Sequence, residues 1–150
     1  MKIKRNSHGF TLVEILIVVI ILGILAAIVI PQFTSASTDA RVSAVTSTLQ
    51  TLRGQIELYK IQHADTPPAL ASMWTNMLNA SNTTGTTTAG GTTATYPLGP
   101  YLQAAPTNQF NGQSAVGAAA ATNVGWVYST NGSSYTIQAV NTAGSGVTTY

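Results

Sequence analysis

The sequence predicts an α+β protein in which one long N-terminal helix packs across a small antiparallel β-sheet head. Three observations favour this fold: an apolar run of membrane-spanning length at residues 10–30, an apolar stripe of helical spacing over residues 42–59, and a hairpin signal within residues 124–140. The amphipathic helix and the hairpin each have one apolar face to bury, and a helix laid on a sheet buries both.

The apolar run contains only two polar side chains, Thr11 and Glu14. With a rise of ~1.5 Å per residue, residues 10–30 form a helix about 32 Å long, which matches the apolar core of a bilayer. The basic residues before the run are Lys2, Lys4 and Arg5, and the first one after it is Arg41. This distribution predicts a single-pass protein whose N-terminus is cytoplasmic and whose remaining residues lie across the membrane.

The helix is predicted to continue beyond the span as an amphipathic segment over residues 32–63. Pro31 predicts a kink or a loosened stretch that does not end the helix. Apolar residues then recur at helical spacing and form one stripe, made of Val42, Val45, Leu49, Leu52, Ile56 and Tyr59. This spacing is typical of a helix that buries one face.

Residues 64–150 are predicted to form a globular head that is almost free of charge, because no Asp, Glu, Lys, Arg or His follows Asp65. A short helix is expected over residues 69–78. The Thr- and Gly-rich stretch 79–95 is expected to form an exposed, mobile loop.

A C-terminal hairpin is predicted over residues 124–140, because Asn131-Gly132 is a strong signal for a two-residue turn. With these two residues at the turn, the expected pairs are Thr130 with Ser133, Tyr128 with Tyr135, and Trp126 with Ile137. The large side chains then share one face, which is expected to cover the apolar stripe of the helix.

Composition excludes several classes of function. Without residues 1–9, three basic side chains remain against four acidic ones, so no basic patch is left to bind nucleic acid. The sequence has no cysteine, which excludes disulfides and thiolate metal sites. His63 and Asp65 are close in sequence, but a solvated helix end is expected there. We therefore predict no enzyme activity, no catalytic residues, no cofactor and no metal.

The junction between the basic N-terminus and the apolar run carries the functional motif, which reads HGFTLVE at residues 8–14. It resembles the cleavage and methylation segment of type IV prepilins and of the pseudopilins of type II secretion, and the proline after the apolar run also matches. The resemblance implies cleavage between Gly9 and Phe10 by a prepilin peptidase, N-methylation of Phe10, and assembly into a helical filament. Residues 1–9 are then a leader, and residues 10–31 are a transmembrane and polymerisation helix.

The position of Glu14 agrees with this interpretation on physical grounds. A charged Glu within a membrane helix costs at least ~2.5 kcal/mol. After cleavage, Glu14 of one subunit can pair with the Phe10 amine of a neighbour, which sets the register of the contact. Gly23 and Ala27 form a small-xxx-small step where helices can approach closely. Such a contact, repeated head to tail without closing a ring, gives a fibre.

Two other interpretations of the N-terminal segment remain open. A secretory signal peptide would be cut near residues 34–36, and a plain single-pass anchor would not be cut at all. Both leave Glu14 without a role and make the Gly9-Phe10 junction accidental.

The predicted head is similar in layout to pseudopilins. The resemblance is carried by Tyr101-Leu102, Pro106 and Phe110-Asn111-Gly112. Major pseudopilins hold calcium in an acidic C-terminal loop, whereas here no carboxylate side chain follows Asp65, so no calcium is expected.

The combined resemblance favours a structural subunit of a type II secretion pseudopilus, held in the bacterial inner membrane with a periplasmic head. Its expected partners are further copies of itself, other pilin-like subunits, the prepilin peptidase, the inner-membrane assembly platform and the lipid bilayer. A subunit of a surface type IV pilus, used in adhesion, motility or uptake, is the alternative, because residues 1–33 have the same chemistry in both.

Overall fold

The computed structural model describes residues 9–141, 144, 147 and 148, so residues 1–8 of the predicted leader lie outside the described residues. The elements in chain order are α1 (Leu12–Gln62), a 3₁₀ turn (Leu70–Ser72), α2 (Met73–Leu78), β1 (Ala80–Ser81), β2 (Thr87–Thr88), β3 (Val116–Gly117), β4 (Trp126–Asn131), β5 (Ser134–Val140) and β6 (Val147–Thr148). The α+β class predicted from the sequence is confirmed. The chain divides into two compact units between Ala40 and Arg41.

The first unit contains the N-terminal part of α1, in which the described side chains of residues 10–40 are all exposed. The helix continues across Pro31, as predicted, while the kink at this residue stays a prediction. Beyond it, the hydroxyls of Thr34 and Ser35 donate to the carbonyls of Ile30 and Pro31 at 3.2 Å. These bonds satisfy the hydroxyls along the helix itself.

The second unit is built around a core between α1 and a four-stranded sheet. The helix contributes the buried stripe Val45, Leu49, Leu52, Ile56 and Tyr59. The sheet contributes Trp126, Tyr128, Ile137 and Ala139, and α2 contributes Met73 and Met77. All of these side chains belong to one cluster, which confirms that the hairpin covers the apolar stripe. Each large side chain buried in this way stabilises the fold by about 1.5–3 kcal/mol.

The sheet differs from the prediction in being mixed. Its strand order is β3-β4-β5-β6, and β3 runs parallel to β4 while the other pairs are antiparallel. Just before β4, the backbone at Gly125 passes very close to the backbone at Gln113. A Cβ on Gly125 would overlap the Gln113 carbonyl oxygen. The Ala115 carbonyl accepts hydrogen bonds from the N–H groups of both Gly125 and Trp126. This close approach places β3 beside β4 in the parallel direction. The alternation of apolar and polar residues along a strand does not indicate such a pairing.

The register predicted for the hairpin is wrong by two residues. The turn consists of Gly132 and Ser133, and the observed pairs are Asn131 with Ser134, Thr130 with Tyr135, Tyr128 with Ile137, and Trp126 with Ala139. Gly132 has a positive φ of 60°, as the first position of a Gly-X hairpin turn requires. The observed register places the small Ala139 opposite the buried Trp126, which leaves room for the indole. Because a shift by two residues preserves the faces, the predicted apolar face is still correct.

The stretch 79–95 is only partly the exposed loop that its composition predicts. Ala80 and Ser81 are fully buried and pair with β2. The Asn82 side-chain oxygen accepts bonds from the backbone N–H groups of Thr84 and Thr86, which orders the turn between the strands. Residues 89–95 are exposed, as predicted. Threonine favours both strands and polar loops, so composition alone could not separate the two halves.

The segment between α2 and β3 is held by a buried asparagine. Asn108 is fully buried, and its Nδ2 donates to the carbonyls of Gly125 and Val140, both at 2.8 Å. Its Oδ1 accepts a bond from the Phe110 N–H at 2.8 Å. One side chain therefore satisfies three backbone groups and joins this segment to the ends of the hairpin.

Candidate processing and assembly site

Glu14 lies in the first turn of α1 and is hydrogen-bonded to Thr11, the residue that caps the helix. Because α1 begins at Leu12, Thr11 is the capping residue and Glu14 is the third residue of the helix. The backbone N–H and hydroxyl of Thr11 donate to Glu14 Oε2 at 3.0 and 2.9 Å, and the Glu14 N–H donates to Thr11 Oγ1 at 3.2 Å. This reciprocal arrangement is a capping box, which satisfies donors left open at a helix start.

The capping box corrects one step of the sequence analysis. Glu14 was expected to have no role in a plain membrane anchor, and that expectation is wrong, because the carboxylate caps its own helix and lies at the positive end of the helix dipole. The signal was present in the sequence as the Thr-x-x-Glu spacing of Thr11 and Glu14.

Only one carboxylate oxygen of Glu14 takes part in the capping box. Both bonds from Thr11 reach Oε2, and Oε1 accepts no hydrogen bond from the residues that the structure describes. A carboxylate offers about four acceptor positions. Glu14 can therefore hold the helix start and still accept a cationic donor from a second molecule.

Gly9 and Phe10 lie before α1, in a stretch without regular secondary structure. Among the described residues, nothing lies within 4 Å of the position that a Cβ would occupy on Gly9, and Phe10 is 82% exposed. The peptide bond between them is thus accessible and outside the helix, as a peptidase substrate must be.

Gly23 and Ala27 are both exposed and lie one helical turn apart on α1. No atom of the residues that the structure describes lies within 4 Å of the position that a Cβ would occupy on Gly23. Within the described residues, α1 is long and apolar enough to cross a membrane by length and composition. An apolar surface of this extent needs lipid or other protein to cover it.

His63 is buried, so the predicted solvated helix end is wrong at this residue. Its Nδ1 lies 2.7 Å from the Tyr59 carbonyl oxygen, its Nε2 lies 3.1 Å from Ser81 Oγ, and its ring stacks on Tyr59 at 3.7 Å. The imidazole thereby caps the C-terminus of α1 and ties it to β1.

Asp65 does not join His63 in a possible catalytic group, because Asp65 is exposed and pairs with Lys60 at 3.4 Å. Because Ser81 is 0% exposed, its hydroxyl cannot reach a substrate.

A surface groove of about 460 Å³ lies between α1 and β5, with Arg53, Glu57 and Lys60 on its helical side. The Tyr135 hydroxyl donates to the Arg53 carbonyl, Arg53 Nη2 donates to the Ile137 carbonyl, and Lys60 pairs with Glu57. These contacts join the helix to the hairpin, so we assign the groove a structural role. Among the described residues, no group of three or more His, Asp or Glu side chains could hold a metal ion.

Comparison with known proteins finds a methylation motif over residues that include the Gly9-Phe10 junction. The family model described as the prokaryotic N-terminal methylation motif matches residues 4–30. The type II secretion system core protein G of Pseudomonas aeruginosa is 40% identical over 60 residues, which cover 40% of this chain and 42% of that protein. The corresponding protein of Dickeya chrysanthemi is 34% identical over 64 residues, or 43% and 42% of the two chains.

Pilus proteins are also similar to this chain. The type IV major fimbrial protein FimA of Dichelobacter nodosus is 37% identical over 103 residues, which cover 63% of this chain and 65% of that protein. The chain spans less than half the length of the core protein G relatives that it matches. No solved structure matches the chain.

The chain carries a prokaryotic N-terminal methylation motif, and its resemblance to type IV pilin-like proteins is confirmed. The relatives include both secretion pseudopilins and pilins. The individual roles of Gly9, Phe10, Glu14, Gly23, Ala27 and Pro31 stay predictions.

Proposed function

We propose that this protein is a structural subunit of a type II secretion pseudopilus, held in the bacterial inner membrane by residues 10–31 and polymerised after removal of residues 1–9. The observation that carries the proposal is the methylation motif at residues 4–30, together with the similarity to type II secretion core protein G in several bacteria. Most of the large apolar side chains that the head buries belong to one hydrophobic cluster, which agrees with a structural protein.

Processing is proposed to occur between Gly9 and Phe10 by a prepilin peptidase, with methylation of the new Phe10 amine. The accessible, non-helical junction supports this step. Intact-mass analysis of the membrane-extracted protein should then give a chain that starts at methylated Phe10. Gly9→Val should leave full-length precursor, because a branched side chain obstructs close approach to the backbone. A mature terminus near residue 37 would instead establish a secretory signal peptide.

Assembly is proposed to use both oxygens of the Glu14 carboxylate. Oε2 holds the capping box, and Oε1 would accept the Phe10 amine of a neighbouring subunit. In an apolar environment, each charge of such a pair offsets the burial cost of the other. The pair would set the register between subunits, while Gly23 and Ala27 allow the helices to approach closely. The prepilin peptidase, the assembly platform and other pilin-like subunits are the proposed partners, with the N-terminus cytoplasmic and the head periplasmic.

A subunit of a surface type IV pilus is the second candidate. One observation favours it: the match to the fimbrial protein of Dichelobacter nodosus covers more of this chain than the core protein G matches do. Antibody labelling of intact cells separates the two. Labelled surface filaments would support a pilus, whereas labelling only after the envelope is opened, with loss of secretion on deletion, would support a pseudopilus.

A further inference from the structure

The head contains two asparagine–glycine pairs, Asn111-Gly112 and Asn131-Gly132. In such a pair, the glycine nitrogen can attack the side-chain carbonyl carbon of the asparagine, because glycine has no Cβ to shield its nitrogen. The attack requires both groups to be free to move together. The two pairs differ in this respect.

In the Asn111-Gly112 pair, hydrogen bonds fix both the asparagine side chain and the glycine nitrogen. Asn111 Nδ2 donates to the Val124 carbonyl at 2.8 Å, and Asn111 Oδ1 accepts a bond from the Gln113 N–H at 3.1 Å. The Gly112 N–H donates to the Asn108 carbonyl at 2.8 Å. Three hydrogen bonds must therefore break before the nitrogen can reach the carbonyl carbon.

In the Asn131-Gly132 pair, hydrogen bonds fix neither the asparagine side chain nor the glycine nitrogen within the described residues. Asn131, Gly132 and Ser133 are all exposed at the hairpin tip. Within the described residues, neither the Asn131 side chain nor the Gly132 N–H makes a hydrogen bond. A Cβ placed on Gly132 would meet no atom of the described part of the chain within 4 Å. Small turn motions can therefore bring nitrogen and carbon together without loss of core contacts.

We propose that Asn131 is a site of spontaneous deamidation. The Gly132 nitrogen forms a bond to Asn131 Cγ and gives up its proton, while the side-chain nitrogen leaves as ammonia, and a five-membered succinimide results. One water molecule then opens the ring and leaves aspartate or isoaspartate. The reaction needs no oxidant, reductant or cofactor.

The product changes the head in two ways. It places a negative charge in residues 66–150, which contain no charged side chain. Isoaspartate also lengthens the backbone by one carbon at a residue that pairs with Ser134, so the last pair of the hairpin is disturbed. The proposal does not depend on the function proposed above.

The test uses the full-length protein extracted in detergent and incubated at mildly alkaline pH, with a denatured sample in parallel. Peptide mass mapping should show conversion at Asn131, and isoaspartyl methyltransferase should label that peptide. Conversion at Asn111 should be slower by about a hundredfold, roughly fivefold for each hydrogen bond that must break. In the denatured sample, the two sites should convert at similar rates.

Asn131→Gln is the matched control, because ring closure is less favourable with the longer side chain. It should abolish conversion at this position and leave Asn111 unchanged. Equal rates at the two sites in the folded protein would overturn the proposal. So would an unchanged Asn131 in folded protein while the denatured sample converts.

Discussion

The two compact units of this chain use apolar residues in opposite ways. In the first, large side chains such as Leu22 and Ile30 are 57% and 64% exposed, and the only carboxylate in the span caps its own helix. In the second, Trp126, Tyr128 and Ile56 are 0% exposed, and their partners come from the same chain. The second unit buries its own apolar surface, whereas the apolar surface of the first needs lipid or other protein to cover it. Substitutions should therefore affect assembly in one unit and folding in the other.

The largest expected effect comes from Glu14. Glu14→Val should be processed and remain in the membrane, yet form no filaments when it is the only copy, because a Phe10 amine buried without a partner costs about 3–5 kcal/mol per subunit. Filament yield by electron microscopy, compared with membrane content by fractionation, measures this loss.

Glu14→Gln separates the two roles of the carboxylate. The amide oxygen can still accept from Thr11 and so preserve the capping box, but the charge is gone. We expect Glu14→Gln to fail in assembly like Glu14→Val, and Glu14→Asp to be intermediate because it keeps the charge on a shorter side chain. Normal filaments from Glu14→Gln would show that helix capping, and not charge pairing, is what assembly requires.

A core substitution in the second unit should act on folding alone. Trp126→Ala removes a fully buried indole and its bond to the Pro106 carbonyl, and should lower the free energy of unfolding by about 3–5 kcal/mol. Denaturant unfolding of the detergent-solubilised chain, followed by the remaining tryptophan, measures this value.

Leu22→Ala is the matched substitution in the first unit, where the side chain is exposed. It should leave the unfolding free energy of the head within about 0.5 kcal/mol of its original value. A comparable loss from both substitutions would mean that the two units are not energetically separate.

Asn108 gives a smaller effect within the head. Asn108→Ala removes the side-chain hydrogen bonds to two carbonyls and one N–H, and should cost about 1–3 kcal/mol. The exposed Asn123 is the control, since Asn123→Ala should change stability by less than about 0.5 kcal/mol. If both variants unfolded at the same denaturant concentration, Asn108 would not be a structural link.

The smallest expected effect is a dependence on alkaline pH. Burial raises the pKa of Tyr135 to about 12, and the neighbouring Glu57 carboxylate adds to the shift. The folded state thus holds the phenol proton to higher pH than the unfolded chain, in which tyrosine titrates near 10. This contribution to stability is complete below about pH 10 and is lost as the pH rises through about 12.

Tyr135→Phe should reduce the steepness of this alkaline loss. Burial also raises the pKa of Tyr128, so part of the loss should remain in the variant. Unfolding free energies measured at increasing pH for both proteins test this expectation. An identical pH dependence would indicate that Tyr135 ionises equally in the folded and unfolded states.

Local sequence patterns were sufficient to predict those features that depend on one residue type or on one spacing along the chain. The helical stripe from Val42 to Tyr59 was predicted from its spacing, and the fold buries all of it except Val42, which is half-buried. The methylation motif was equally readable, because a peptidase acts on a short linear segment. The capping box was readable too, from the Thr-x-x-Glu spacing of Thr11 and Glu14, but this spacing is hidden in a segment where Glu14 first draws attention as a charge in the membrane.

The sequence by itself determined the buried stripe and the apolar face of the hairpin, because these depend on periods of 3.6 and of two residues. It determined the position of the apolar span from the length of one nearly continuous apolar run. The α+β class follows from these elements. Tertiary structure alone decided the hairpin register, the parallel strand β3 and the burial of His63 and Ser81. Each of these depends on contacts between residues far apart in the chain: Ala139 leaves space for Trp126, Ala115 accepts from Gly125, and Ser81 lies against His63. Spacing along the chain contains no information on such contacts, so only packing could select them.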